Sequence, residues 1–173
     1  PEYARPLPNS TLLKLHLFGL KSHLDRLVYL DADVLPLEPL DSLFSLDLPS
    51  SSSPFAAAPE IMPPDKFNSG VLLVHPNAEV YAKLLQYAAS VSTNTDQTLL
   101  NGFFSSWYSL PAPHRLSFDY NVLQTVASYY EPAWTLLQQR MKTLHFAGPR
   151  SVKPWSFEGS LSHSLAVYLY LWQ

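Results

Sequence analysis

The chain has no cysteine among its 173 residues, which excludes disulfides and zinc–thiolate centres. It has no run of lysines or arginines and a formal net charge of −3. The basic patch that a phosphate backbone needs is therefore missing, and nucleic acid is not an expected partner. No apolar stretch is long enough to cross a bilayer, and no segment has the layout of a secretory signal. With the missing cysteine, this points to a cytoplasmic protein. Charged residues make up only 14% of the chain and hydrophobic residues 47%, a globular composition rather than a disordered one. The length suffices for one domain with a sizeable core. No internal repeat is visible. The chain starts at Pro1 rather than Met and ends in the apolar run Val167–Gln173 with no helix stop. Both ends read as cut, so the expectation is one domain over 1–173, truncated at its N-terminus and open to truncation at its C-terminus.

What is present centres on Leu27-Val-Tyr-Leu-Asp31-Ala-Asp33. Four apolar residues run into two aspartates one residue apart, so a buried strand ends and two carboxylates emerge at its C-terminal edge. Open α/β sheets bind ligands at that edge, and residues i and i+2 of a strand share a face. Two ionised carboxylates this close repel each other, and a cation is their natural companion. An oxygen-rich site suits Mg²⁺ or Mn²⁺. Taken alone, the pattern also fits a solvated turn after a strand, where Asp is common.

The remaining elements alternate. A helix is expected from Thr11 toward His23, capped by Ser10, with Leu12, Leu15 and Leu20 near one face. Asp41–Phe44 reads as a helical turn, Pro49–Pro54 as a low-complexity loop and Phe55–Ala58 as a short strand. Val71–Val74 is a buried strand with Asn68-Ser69-Gly70 in a turn at its start. Asn77 caps a helix whose apolar residues Val80, Tyr81, Leu84, Leu85, Ala88 and Val91 follow helical spacing. Asp96-Gln97 opens a second helix, with Asp96 read as its cap. Arg115–Tyr120 is a mixed strand or loop, Lys142–Phe146 a strand, and Leu161–Trp172 a helix buried on most sides. This order argues α/β with a partly parallel sheet.

His145 ends the Lys142–Phe146 strand just before Gly148, and imidazole is a good ligand for Mn²⁺. A histidine beside Phe146 also fits a hydrogen-bonded core residue. His16, His23, His75, His114 and His163 have no comparable setting and read as structural or surface residues. Lys153, on the loop after Gly148, can hold a diphosphate as a compact point charge; equally, it reads as a solvated lysine. Asn68, Ser69 and Gln97 offer amides and a hydroxyl suited to a hydroxyl-rich ligand.

Lys14-Leu-His16, Tyr29-Leu-Asp31-Ala-Asp33, Phe67-Asn-Ser-Gly-Val71, Asp96-Gln-x-Leu-Leu-Asn101, Phe118-x-Tyr-Asn121, His145-Phe-x-Gly148 and Lys-Pro-Trp155 occur in the order found in one family. Over nearly its whole length the chain resembles the glycogenin-like glycosyltransferases of glycosyltransferase family 8. The resemblance implies a GT-A fold, here lacking its N-terminal strand or strands. It also implies a UDP-sugar donor, UDP-glucose by default, a carbohydrate or protein acceptor, retention of anomeric configuration and a homodimer as one assembly. It implies Mn²⁺, or else Mg²⁺, on Asp31, Asp33 and His145. Donor contacts fall on Arg5, Lys14, Asp31, Ala32, Asp33, Asn68, Ser69, Gly148 and Lys153, and the reaction centre on Asp96, Gln97 and Lys153.

The chain departs from the family in three places. Only a short lead precedes Asp31. Thr93 stands where a further acid is usual. Ser128 falls where glycogenin carries the tyrosine it glucosylates, with Tyr129 and Tyr130 beside it. Two rival readings stay open. One is a non-catalytic, transferase-like binding domain. The other is a haloacid-dehalogenase-type phosphatase, which also places Asp-x-Asp after a strand but lacks here its later paired acids and its usual Thr or Val at Leu35.

Overall fold

The structure, a computed structural model, describes residues 10–48, 51–92, 95–156 and 163–172. Arg5, Pro49 and Thr93 lie outside the described residues, as do the side chains of Ser10, Thr11, Leu12 and His163. The fold is organised around its most apolar strand, β4 (Phe67–Val74), which is buried at every residue. It runs antiparallel between β1 (Leu27–Leu30) and β3 (Phe55–Pro59). A strand covered on both faces reads as an unbroken apolar run, and this one is so covered. Leu72 and Val74 pack with Leu15, Phe18, Leu84 and Leu99, while Leu73 joins Leu43, Ala56 and Leu116 in a second cluster.

The expected turn at Asn68-Ser69-Gly70 is instead strand: these residues form the first half of β4. On one side β3 stays paired with β4 as far as Pro59 opposite Phe67, and on the other the end of β4 meets Asn101, buried on a neighbouring helix. Its Oδ1 accepts from Phe67 N–H at 3.0 Å, and its Nδ2 donates to Phe67 O at 2.8 Å and Gln97 O at 2.9 Å. One carboxamide replaces the missing neighbour strand and lets β4 run on past the end of β1. β1 is also less buried than expected. It lies at the sheet edge and is half-buried along its length.

A second sheet contains β2 (Val34–Pro36), β6 (Thr143–His145) and β5 (Val122–Leu123), with β6 in the middle. β2 pairs antiparallel with β6 and β5 parallel with it, the one parallel pair among the described strands. Helix α1 (Ala78–Ser90) is capped as expected by Asn77, whose Oδ1 accepts from the N–H groups of Glu79 and Val80. Helix α2 (Asp96–Phe103) is capped by Thr95 rather than Asp96. The helical segment Ser10–Ser22 is 3₁₀ in its bonding and kinks at Leu20 (φ −81°, ψ 16°). It buries Leu15 and Phe18 and carries Lys14 inward.

Asp41–Ser45 forms the short helical turn, and Arg115 bridges to Ala57 before a 3₁₀ turn over Phe118–Tyr120. Helices α3 (Val126–Tyr129), α4 (Glu131–Leu137) and α5 (His163–Trp172) cover the second sheet. The α5 segment is not buried on most sides. Tyr168 and Trp172 pack on Trp134 and Phe146, but Tyr170 is 80% exposed. No helix among the described residues is long and apolar enough to cross a membrane.

Asn101→Ala strands both polar groups of Phe67 in a buried setting. It should lower stability by about 1–3 kcal/mol, the cost of leaving buried partners unsatisfied, read from urea unfolding. An unchanged midpoint would show that β4 does not depend on this carboxamide.

Candidate active site

The two aspartates do not share a strand face. Asp31, Ala32 and Asp33 form the turn by which the chain leaves β1 for β2, with Val34 N–H donating to Asp31 O at 3.0 Å. The turn hangs from both sheets. Asp31 N–H donates to Gly70 O of β4, and Phe146 N–H, just past β6, donates to Asp33 O, both at 2.8 Å. Register does the rest: Val34 pairs with His145, so the imidazole arrives beside Asp33. Ligand atoms of Asp31, Asp33 and His145 all lie within 4.8 Å of one another. Two carboxylates and an imidazole form a donor set that fits Mn²⁺ well and Mg²⁺ acceptably.

Asp33 is 8% exposed. Burial pushes its carboxyl up. The hydrogen bonds and charges of His145 and Lys153 outweigh that and hold it well below the usual carboxylate range. His145 Nε2 lies 3.3 Å from Asp33 Oδ1. Lys153 Nζ forms an ion pair with Asp33 Oδ2 and donates to Phe146 O at 3.0 Å. Gly148 makes this return possible. Its φ of +127° is open to glycine and strained for other residues, and it starts the doubled-back path through Pro149 to Lys153.

Lys14 lies behind the turn. Its buried ammonium donates to Asp31 Oδ2 at 2.8 Å, pairs with Asp96 Oδ2 at 2.8 Å, and reaches Ser69 O and Oγ at 3.2 Å each. The Asp96 carboxylate is thus shared between Lys14 on Oδ2 and Gln97 N–H, which donates to Oδ1 at 2.6 Å, while Thr95 caps α2. The Tyr29 hydroxyl donates to Asp31 Oδ1 at 2.8 Å. Burial first, then the Asp31 charge, raises its phenol above the ordinary range.

A run of carboxamides lines the far side. Ser69 N–H donates to Gln97 Oε1 at 3.1 Å, and Gln97 Nε2 donates to Glu60 Oε2 at 2.9 Å. Asn68 Nδ2 donates to the same oxygen at 2.9 Å, and Asn121 links Asn68 to His145. A cleft of about 500 Å³ opens beside Gln97, lined also by Glu60, Met62 and Lys66.

The structure thus brings together Lys14, Asp31, Asp33, Asn68, Ser69, Asp96, Gln97, His145, Gly148 and Lys153. Ala32 lies exposed on the turn, and Arg5 falls outside the described residues. Sequence reasoning missed Glu60 and any role for Asn121. Glu60 carried the signal that marked Asp31, an acid directly after an apolar strand. Of the other histidines, His114 is fully buried with Nδ1 on Phe55 O, while His16 is exposed against the Tyr81 hydroxyl.

A family model described as Glycosyl transferase family 8 matches residues 1–159. Glycogenin-1 of Caenorhabditis elegans is 39% identical over 171 residues, 98% of this chain and 37% of that protein. Human glycogenin-2 is 36% identical over 183 residues, 97% of this chain and 35% of that protein. The chain therefore spans about a third of the length of these curated relatives. Among solved structures, the galactosyltransferase LgtC in complex with donor and acceptor sugar analogs superimposes with a TM-score of 0.62 at 21% identity, over 94% of this chain and 66% of that one. Apo GlyE of Streptococcus pneumoniae TIGR4 gives 0.68 at 23%, over 95% of this chain and 43% of that one. At that identity the likeness shows the fold, which is GT-A.

Two substitutions test how the site is held. Lys14→Met leaves Asp31 and Asp96 facing each other without a counter-charge, and should cost roughly 3–5 kcal/mol in denaturant unfolding, as for a buried pair that loses one partner. A Cβ on Gly70 would meet His145 Nδ1 at 2.6 Å and Asn68 Oδ1 at 3.0 Å. Gly70→Ala should therefore destabilise by about 1–3 kcal/mol through overpacking. A loss under about 0.5 kcal/mol would mean that the ring moves aside freely.

Proposed function

The chain belongs to glycosyl transferase family 8, and from that premise we propose a metal-dependent, retaining transferase that moves a hexose from a UDP-sugar to a hydroxyl on a carbohydrate or protein acceptor. UDP-glucose is the default donor. The observation that supports this most is the convergence of Asp31, Asp33 and His145 beside a lysine and a wall of carboxamides. Mn²⁺ is the cation the donor set favours, and those three residues would hold it. When bound, a divalent cation supplies positive charge to the diphosphate leaving group.

The chain's own residues do the rest. Lys153, delivered to the site by Gly148, offers a second positive charge to the diphosphate as it leaves. Gln97 and Glu60, which line the cleft, offer an amide donor and a carboxylate acceptor to sugar hydroxyls, and the buried Asn68 braces Glu60 from behind. In the transfer, the bond from the anomeric carbon to the β-phosphate oxygen breaks with its electron pair leaving on UDP. The acceptor oxygen bonds to that carbon and gives up its proton to the departing β-phosphate oxygen. Positive charge builds on the sugar ring as the old bond breaks, and we assign to Asp96, at the head of α2 and paired with Lys14, the role of stabilising it or holding the acceptor.

In the full-length protein, Mn²⁺ with UDP should raise the melting temperature, and Asp33→Ala should abolish the rise. Lys153→Ala should slow transfer from UDP-glucose on the order of 10²-fold, the loss typical of one leaving-group or oxyanion contact. Melting that ignores Mn²⁺ and UDP, or cleavage of phosphomonoesters in place of UDP-sugars, would sink the transferase reading.

A further inference from the structure

We propose that Asn121 is a positioning residue for the metal-binding His145, and that it forms one link of a hydrogen-bonded relay that runs from the metal site to Gln97 and keeps a proton on His145 Nδ1. The functional meaning of the relay rests on the transferase reading; its geometry does not.

The direction of every bond in the relay is dictated by groups that cannot be reversed. Two adjacent backbone donors in β4 start it. Ser69 N–H donates to Gln97 Oε1 at 3.1 Å, and Gly70 N–H donates to Asn68 Oδ1 at 2.9 Å. A backbone N–H only donates, so both carboxamides are pinned with oxygen toward β4 and nitrogen toward Glu60. Glu60 Oε2 accepts from both nitrogens at 2.9 Å, and its Oε1 accepts from Ile61 N–H at 2.9 Å. A carboxylate offers only acceptors and meets these three donors without conflict.

From Asn68 the order passes inward. Its Oδ1 accepts a second bond, from Asn121 Nδ2 at 2.8 Å. That turns Asn121 Oδ1 toward His145 Nδ1 at 2.9 Å. An amide oxygen cannot donate, so the proton between them belongs to Nδ1 whether or not Nε2 carries one. Nε2 is thereby the nitrogen turned toward the aspartates, 3.3 Å from Asp33 Oδ1, and the one that would ligate a metal. Asn121 is fully buried and Asn68 is 5% exposed, so water is a poor substitute for either link. A metal-ligating histidine is commonly oriented through its other nitrogen, and loss of such a partner typically costs 10–100-fold in metal affinity. Here the partner is a neutral carboxamide whose own orientation is set by a sugar-facing element.

The test uses ¹⁵N-histidine-labelled full-length protein and two variants. Wild type should show a slowly exchanging His145 Nδ1–H by NMR, both metal-free and with diamagnetic Mg²⁺. Asn121→Leu should lose that proton signal and bind Mn²⁺ at least about tenfold more weakly by titration calorimetry without nucleotide. Asn121→Asp still accepts from Nδ1–H but cannot donate to Asn68. It should hold Mn²⁺ within about threefold of wild type, while kcat/KM for the UDP-sugar falls. A wild-type His145 without a proton on Nδ1, or an Asn121→Leu protein with wild-type Mn²⁺ affinity, would overturn the relay. If the proton and the Mn²⁺ results come out as expected but no form of the protein uses a UDP-sugar, the relay stands and the transferase reading falls.

Discussion

Three carboxylates, those of Asp31, Asp33 and Asp96, gather where two sheets and a helix meet, and their mutual repulsion is the problem this fold has to solve. Two unit charges about 4 Å apart repel by roughly 4 kcal/mol at the effective dielectric of a protein surface, and by more as water is withdrawn. The buried Lys14 ammonium answers it from one side. It touches Asp31, Asp96 and both oxygens of Ser69, and so joins the N-terminal helical segment, the turn after β1, the start of α2 and β4 through a single charge. Lys153 answers it from the other side at Asp33. With these two lysines in place each of the three aspartates faces an opposite charge in a poorly hydrated pocket. Without Lys14, Asp31 and Asp96 would face each other without a counter-charge, and the turn that carries Asp31 and Asp33 would lose its tie to α2.

β4 shows how one strand serves two purposes. Its second half, Val71–Val74, is apolar on both faces and belongs to the core. Its first half is polar, and each group is used: Ser69 N–H and Gly70 N–H face carboxamides, Gly70 O holds the Asp31 backbone, and Ser69 O meets Lys14. The border falls at Gly70, where His145 comes so near that no Cβ fits. Glycine is required there for space rather than for backbone freedom.

Much of this was legible in the sequence, and the misreadings share a physical cause. The apolar run ending at Asp31 and Asp33, the strand before His145 and the helix capped by Asn77 are local signals, and all three stand in the fold. The expected common strand face for the aspartates gave way to a turn, because the chain must change sheets between Leu30 and Val34. Asn68–Gly70 looked like a turn because the groups that hold this half of β4, β3 at Pro59, Gln97 on Ser69 N–H and Asn101 on Phe67, come from other elements and act only after folding. Asp96 looked like a cap because its real partner, Lys14, comes from another element altogether. Glu60 was visible by the same rule that exposed Asp31, but no second acid stood beside it to draw attention.

The choice of side chains between His145 and Gln97 follows from the same crowding. Asn68, Gln97 and Asn121 could be replaced sterically by acids, yet each acid would add charge to a pocket already holding three aspartates and Glu60, and none could donate onward. A carboxamide both accepts and donates without ionising, so it passes hydrogen-bond direction along without altering the charge. The direction is set by the backbone of β4 and ends on the single carboxylate of Glu60. A site arranged this way reserves its negative charge for the residues that would hold a cation and leaves neutral groups to orient them.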